Sequence, residues 1–256
     1  RGSEGGVHVS WRRWWVAALL VLACRVDAQS AAVGLYAEGN DLYRAGDFAG
    51  ARARYEAAVA TGVADPRLLY NLANAVFKTG DLGEAILWYE RALKQAPRDE
   101  DIEANLRFLR RIKRDRDPEP ARGIARVLEQ AYLWPTLNEV ALLWILSLFL
   151  LFCVAAWRRW QGITQIGKAI PLAAVVCLVV GGYAVSRFDR DVNVLAAIVT
   201  QEQGIARSGP DAGETEVFVI HEGTKVVVER TEAGWYLVRL ASGLGGGLPE
   251  SVLMEI

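Results

Sequence analysis

Two segments of the chain repeat the same kinds of residue at a spacing of 34 positions. A period of this length, with small residues at fixed offsets, predicts antiparallel helix pairs that stack side by side. Small side chains let the helices approach closely, and we expect the paired tyrosines to fill the space between neighbouring pairs. The matching positions are Gly39 with Ala73, Gly46 with Gly80, Phe48 with Leu82, Ala51 with Ala85, Tyr55 with Tyr89 and Ala58 with Ala92.

The pattern resembles the tetratricopeptide repeat (TPR), which implies an α-helical solenoid that holds other proteins. We expect the array to occupy residues 31–116. Its last part, Asp99 to Arg116, predicts a capping helix with one apolar stripe against the array and a charged outer face. The stripe consists of Ile102, Leu106, Leu109 and Ile112.

Asparagines recur in the array at the same spacing as the small residues, beside two basic residues. This arrangement resembles the TPR carboxylate clamp, in which amides and cations grip the acidic C-terminus of a peptide. Asp101 departs from that pattern, because the clamp has a base there. The alternative, that the asparagines only hydrogen-bond within the array, remains open. The candidate partner-binding residues are Asn40, Arg44, Asn71, Asn74, Lys78 and Asn105.

The first 28 residues have the features of a leader and secretory signal peptide. Arg12 and Arg13 precede an apolar run from Trp14 to Cys24, and Ala28 ends a pattern typical of a cleavage site. The run has 11 residues, too few to span a bilayer as a stable helix. Two alternatives remain, a retained signal anchor and a lipoprotein signal at Cys24.

Two long runs without charge predict a transmembrane hairpin. They occupy residues 140–157 and 169–186, and each has 18 residues. At about 1.5 Å per residue, each covers roughly 27 Å, close to the thickness of a hydrocarbon core. The basic loop from Arg158 to Lys168 lies between them, and the positive-inside rule assigns it to the cytoplasm. Residues 117–139 then form a linker and an interfacial helix with an aromatic end.

The last part of the chain, residues 192–256, predicts a small all-β barrel. Five short runs rich in β-branched and aromatic residues are separated by turn residues. The expected strands are Val194 to Thr200, Val217 to Ile220, Lys225 to Glu229, Trp235 to Leu240 and Val252 to Ile256.

This segment resembles a bacterial SH3 domain. The similarity rests on Ala206 to Pro210, His221 to Thr224 and Gly234 to Val238. Where the family usually ends with Gly-Trp-Val-Pro, this chain has Gly246-Gly247-Leu248-Pro249, which lacks the aromatic residue. Trp235 is therefore the main aromatic candidate for a binding surface on the SH3-like domain.

The order of these parts resembles the BatE-like proteins of the Bat aerotolerance operons. The segments Tyr70 to Ala75, Ala85 to Ala92 and Pro97 to Leu106 are similar to that family's repeats. The resemblance implies a bacterial inner-membrane scaffold with periplasmic TPR and SH3 domains. It also implies partners among membrane proteins with von Willebrand factor A domains and a MoxR-type ATPase system.

Composition argues against several other classes of function. The net charge of −1 shows no overall basic excess, so it does not favour binding to nucleic acid. The 3 cysteines and 2 histidines have no metal-ligand spacing, so we expect neither a metal nor a cofactor. We also expect no catalytic residues, because no segment is large enough for a catalytic domain. The alternative is a cell-wall enzyme or its SH3-targeted accessory subunit, since bacterial SH3 modules often accompany such enzymes.

Overall fold

The computed structural model describes residues 29–118, 123–162 and 167–256, so the expected leader and signal peptide lie outside the described part. The chain forms two compact units. The first contains the helical repeats up to Arg114 together with Ile198–Glu202 and His221–Gly223. The second contains Asp115–Ala197, Gln203–Ile220 and Thr224–Ile256.

Five consecutive helices form the repeat array. Aspartates precede three of them and accept hydrogen bonds from the first backbone N–H groups, as N-cap residues do. Those caps are Asp47, Asp65 and Asp99, and Pro66 begins its helix where a missing N–H costs little. The helices are α1 (29–44), α2 (Phe48–Ala60), α3 (Pro66–Thr79), α4 (Leu82–Gln95) and α5 (Glu100–Ile112).

The repeated glycines end the first helix of each pair. Gly46 has φ of 83° and Gly80 has φ of 101°, in the left-handed region where a residue with a Cβ is strained. Asp47 and Asp81 follow at once and begin the second helix of each pair. The left-handed backbone at the end of the first helix therefore explains why glycine recurs at this spacing of 34 residues.

The repeated alanines lie where the helices are closest. Ala51, Ala58, Ala85 and Ala92 have no exposed surface. The two repeat tyrosines, at Tyr55 and Tyr89, are also buried, as expected for side chains between neighbouring helix pairs. The helical repeat is thus confirmed.

The capping helix α5 differs from the expectation at its end. Ile102, Leu106 and Leu109 are buried, but Ile112 is about half exposed and Lys113 is buried instead. The Lys113 Nζ donates a hydrogen bond of 3.3 Å to the carbonyl oxygen of Gly223, which belongs to the same compact unit. The prediction for Ile112 was wrong because the next inward position of the helix, four residues after Leu109, is Lys113.

Helix α4 is capped by a residue far away in the sequence. Asp81 precedes α4 but makes no side-chain capping bond, because its carboxylate binds Arg52 and Thr79. The backbone N–H of Gly83 instead donates to a Glu222 carboxylate oxygen at 3.0 Å. A Cβ on Gly83 would lie 2.6 Å from the Val199 carbonyl oxygen, so only glycine fits this approach.

Three helices in the second unit include the two apolar runs. They are α6 (Ile124–Leu133), α7 (Leu137–Trp160) and α8 (Ala169–Phe188), and a π-helical turn, Asp189–Asn193, follows. Helices α7 and α8 pack together, and a Cβ on Gly181 would lie 2.8 Å from the Trp144 ring nitrogen. Both are long and apolar enough to cross a membrane.

The C-terminal segment forms an antiparallel sheet with more strands than the five expected. The strand order across the sheet is β3-β2-β6-β5-β4-β1-β7. Strands β2 and β6 were not expected from the sequence. The strands are β1 (Leu195–Val199), β2 (Gln203–Arg207), β3 (Glu216–His221), β4 (Lys225–Glu232), β5 (Trp235–Leu240), β6 (Gly245–Pro249) and β7 (Leu253–Glu255).

The hairpin between β4 and β5 places Trp235 at the end of its strand. Glu232 pairs with Trp235, and the two residues between them, Ala233 and Gly234, have φ of 51° and 80°. Positive φ at both central residues is the geometry of a two-residue hairpin that matches the twist of its strands. On its other side Trp235 pairs with Pro249 of β6.

Candidate functional site

A pocket of about 380 Å³ lies among the first three helices of the array. Aromatic rings and amides form its walls, and one basic side chain borders it. Such a mixture of apolar surface and convergent polar groups is typical of binding sites. The lining residues are Tyr36, Asn40, Tyr43, Arg44, Tyr55, Asn71 and Asn74.

The polar wall of this pocket is a hydrogen-bonded group of four residues, which we call the first Asn–Tyr cluster: Tyr36, Asn40, Tyr55 and Asn71. The Tyr55 hydroxyl donates to Asn40 Oδ1 at 2.8 Å. Asn71 Nδ2 donates to the same oxygen and to the Tyr36 hydroxyl, both at 3.0 Å. These bonds join two residues of α1 to one residue of α2 and one residue of α3.

The equivalent four residues 34 positions later form the second Asn–Tyr cluster: Tyr70, Asn74, Tyr89 and Asn105. The Tyr89 hydroxyl donates to Asn74 Oδ1 at 2.6 Å. Asn105 Nδ2 donates to the Tyr70 hydroxyl at 3.0 Å and to the Tyr89 hydroxyl at 3.2 Å. The asparagines thus link successive helices of the array, which was the alternative left open by the sequence.

These bonds also fix which end of each amide remains available. In both clusters a tyrosine hydroxyl occupies the oxygen of the first asparagine, at Asn40 and Asn74. Their Nδ2 groups make no hydrogen bond to any residue in the described part of the chain, and both side chains are half-buried. Two N–H donors held in a fixed orientation are suited to an acceptor such as a carboxylate or a peptide carbonyl.

Burial raises the pKa of the two tyrosines that donate to asparagine, Tyr55 and Tyr89. Removal from water raises the pKa of the Tyr55 hydroxyl to about 12, and the same cause raises the pKa of Tyr89 well above its ordinary value. A protonated hydroxyl can donate to an asparagine oxygen, as both tyrosines do. The orientation of the amides is therefore stable across the physiological pH range.

The two candidate cations have different surroundings. Arg44 borders the pocket and is largely exposed, and its guanidinium pairs with Asp41 three residues earlier. Lys78 does not line the pocket, and its Nζ lies 5.8 Å from the centre of the Phe48 ring. An exposed pair of this kind is worth little energy, so Arg44 can exchange Asp41 for another carboxylate at small cost.

The structure brings four of the six candidate residues to this pocket and leaves two beside it. Asn40, Arg44, Asn71 and Asn74 line it, whereas Lys78 and Asn105 do not. The sequence interpretation missed the tyrosines at positions 36 and 70, although their spacing of 34 was visible.

Asp101, where a clamp has a base, lies exposed in the first turn of α5. Asp99, the N-cap of α5, accepts hydrogen bonds from the N–H groups of Asp101 and Ile102. The first turn of a helix favours an acidic residue, because the backbone N–H groups give that end a partial positive charge. The acid at position 101 thus has a local structural reason.

Trp235, the aromatic candidate on the C-terminal sheet, is half-buried at the start of β5. Among the described residues, no group of three or more histidine, cysteine or acidic side chains could hold a metal ion.

Comparison with protein families gives one match. A family model for the tetratricopeptide repeat matches residues 36–100, which contain the whole first Asn–Tyr cluster and three residues of the second. None of the curated proteins compared with the chain matches it. The helical array of this chain is therefore a tetratricopeptide-type repeat, a fold that indicates a role in protein–protein interaction.

Proposed function

We propose that the chain is a membrane-anchored scaffold whose TPR groove binds the acidic C-terminal end of a protein partner. The amide groups of Asn40 and Asn74 are the main support for this proposal. Each is held in place by a tyrosine at its oxygen, and both asparagines line the same pocket. A carboxylate seated there gains charge-assisted hydrogen bonds if Arg44 also turns to it.

The membrane anchor in this proposal is the pair α7 and α8. A long apolar helix in a soluble protein is normally buried in the core. Here only 11% of the most apolar 18-residue stretch of α7, and 17% of that of α8, is buried within the protein. Lipid is the natural environment for the remaining surface.

The proposed location is a bacterial inner membrane, with the TPR and SH3-like domains in the periplasm. The basic loop between the spans favours this orientation, and so does the signal-like N-terminus. By its resemblance to BatE-like proteins, the scaffold belongs to a Bat-type complex for envelope stress or aerotolerance. Its partners are then von Willebrand factor A-domain membrane proteins and a MoxR-type ATPase system.

The test of the groove compares variants that change the pocket with one that does not. Asn74→Asp keeps an oxygen for the Tyr89 hydroxyl but replaces the available N–H donor with a negative charge. Arg44→Ala removes the bordering cation, and Arg54→Ala removes an exposed cation that pairs with Glu38 away from the pocket. Asn74→Ala and Lys78→Ala test the remaining candidates.

The measurement is capture of partners from native membranes on the immobilised chain, followed by competition with peptides. We expect Asn74→Asp and Arg44→Ala to lose capture, and Arg54→Ala to retain it. A peptide with a free C-terminal carboxylate should compete better than the same peptide with an amidated end. Capture retained by the double variant Asn74→Ala/Lys78→Ala, or equal competition by the two peptides, would contradict the proposal.

A further inference from the structure

Helix α6 carries an apolar face that the described protein does not cover. Ile124 is 80% exposed, Val127 63% and Leu128 65%. The opposite side carries Arg126 and Glu129. No residue of this 10-residue helix is buried. A helix this short is marginal in water by itself, so its apolar side needs a partner for the helix to persist.

The C-terminal end of α6 is fastened to the end of the apolar helix α8. The Tyr132 hydroxyl shares a hydrogen bond of 2.7 Å with Ser186 Oγ, and the Tyr183 hydroxyl donates to the Tyr132 carbonyl oxygen at 2.7 Å. The two tyrosine rings pack edge to face with centres 5.4 Å apart. The end of α6 therefore lies level with residues 183–186.

Two arginines place this junction at a polar boundary. The Arg187 and Arg190 guanidinium groups lie 5.4 and 5.9 Å from the centre of the Tyr132 ring. Arg187 also pairs with Asp191 at 3.0 Å and donates to the Pro135 carbonyl oxygen at 3.4 Å. Tyrosine and arginine at the end of an apolar helix are characteristic of the level at which lipid headgroups meet the acyl chains.

The connection to α7 keeps α6 at that level. Only residues 134–136 separate α6 from α7, and exposed Trp134 is one of them. Thr136 and Glu139 form reciprocal hydrogen bonds of 2.9 and 3.2 Å, which fix the first turn of α7 directly after the link. Three residues reach about 10 Å at most, so α6 cannot move far from the start of α7.

We propose that α6 is an interfacial helix whose apolar face lies in the lipid bilayer, at the boundary of headgroups and acyl chains. This proposal rests on α7 and α8 being membrane spans. It gives the bilayer itself as the partner of Ile124, Val127 and Leu128. The charges of Arg126 and Glu129 cancel, so we expect the contact to depend on the apolar face and not on anionic lipid.

The experiment uses the full-length chain in phosphatidylcholine vesicles, with the native cysteines replaced. Single cysteines at Leu128→Cys and Arg126→Cys, on opposite sides of α6, carry an environment-sensitive fluorophore. Quenching is measured with lipids spin-labelled near the headgroup, with lipids labelled deep in the acyl chain, and with aqueous iodide. Alkaline extraction shows separately whether α7 and α8 are inserted.

We expect the label at position 128 to shift its emission to shorter wavelength and to be quenched mainly by the shallow spin label. The label at position 126 should be quenched mainly by iodide. Val127→Asp in the Leu128→Cys background should abolish shallow quenching, and added phosphatidylglycerol should leave the quenching of the parent unchanged.

Three outcomes would overturn the proposal while the chain still resists alkaline extraction. Iodide quenching at position 128 would mean that the apolar face meets water. Protection of that label from iodide and from both lipid labels would mean that protein, a second copy or a partner, covers the face. Quenching by the deep label alone would place α6 inside the membrane core. Release of the chain at alkaline pH would instead refute the membrane anchor.

Discussion

Removing one hydroxyl group from the second Asn–Tyr cluster gives a quantitative test of how the array is held together. Tyr89→Phe keeps the buried ring and deletes the atom that donates to Asn74 Oδ1 at 2.6 Å and accepts from Asn105 Nδ2 at 3.2 Å. A neutral hydrogen bond contributes about 0.5–1.5 kcal/mol to stability. Two such bonds give an upper range of about 3 kcal/mol.

The expected loss is smaller than that sum. The bond to Asn105 is at the long end of the usual range, and Asn105 keeps its bond of 3.0 Å to the Tyr70 hydroxyl. Asn74 is half-buried, so water can replace the lost donor in part. We therefore expect Tyr89→Phe to lower the free energy of unfolding by about 1–2 kcal/mol. Tyr70→Phe removes a single bond and should cost about 0.5–1.5 kcal/mol.

The assay is urea denaturation of residues 29–116, followed by circular dichroism. Both variants should shift the midpoint and leave the dependence of the unfolding free energy on urea unchanged, since the folded surface stays the same. A loss of 1 kcal/mol in a domain of this size lowers Tm by about 4–8 °C. If Tyr89→Phe were as stable as the parent chain, or no less stable than Tyr70→Phe, the assignment of the array's cohesion to these clusters would be wrong.

Three other predictions address the array and the topology. The pKa of Tyr55 is about 12, above the ordinary value of 10.0, so the protonated hydroxyl stabilises the folded state fully below pH 10 and this stabilisation is lost as pH rises towards about 12. Tyr55→Phe should weaken this alkaline loss of stability in melting curves measured across a pH series. Ala85→Leu should overpack a site with no exposed surface and cost about 1–3 kcal/mol, so an unchanged Tm would show that larger side chains fit there. Alkaline phosphatase fused after Arg116 or Asp191 should be active and fused after Gln161 inactive, and an inactive fusion after Arg116 would reverse the proposed orientation.

The repeats could be predicted from the sequence because their causes are local and periodic. The left-handed glycines at 46 and 80, and the alanines without exposed surface, leave a visible period. The burial of Lys113 could not be predicted, because it depends on Gly223, which lies 110 residues later in the chain. In the groove, the asparagines were visible, but which atoms of the amides remain available depends on tyrosines from two other helices.

Strand β6 was missed for a different reason. Residues 245–247 are all glycine, a composition that predicts a loop. In the structure a Cβ on Gly247 would lie 2.4 Å from the Gly209 carbonyl oxygen, and one on Gly246 would lie 3.0 Å from that of Arg207. These glycines allow a neighbouring backbone to pass close by, as glycine in a strand often does. Only the three-dimensional pairing distinguishes this use of glycine from a flexible turn.

The long-range cap on α4 has a consequence for how the protein is made. Glu222 is synthesised 139 residues after Gly83, the residue whose N–H it accepts. At roughly 5–20 residues per second, this interval lasts about 7 to 28 s. During that time the nascent repeats have an incomplete helix end, and a chain stopped before residue 221 keeps it permanently. Hydrogen exchange at the Gly83 amide should be faster in the stopped chain than in the full chain, because Glu222 completes the end of a helix that was translated long before it.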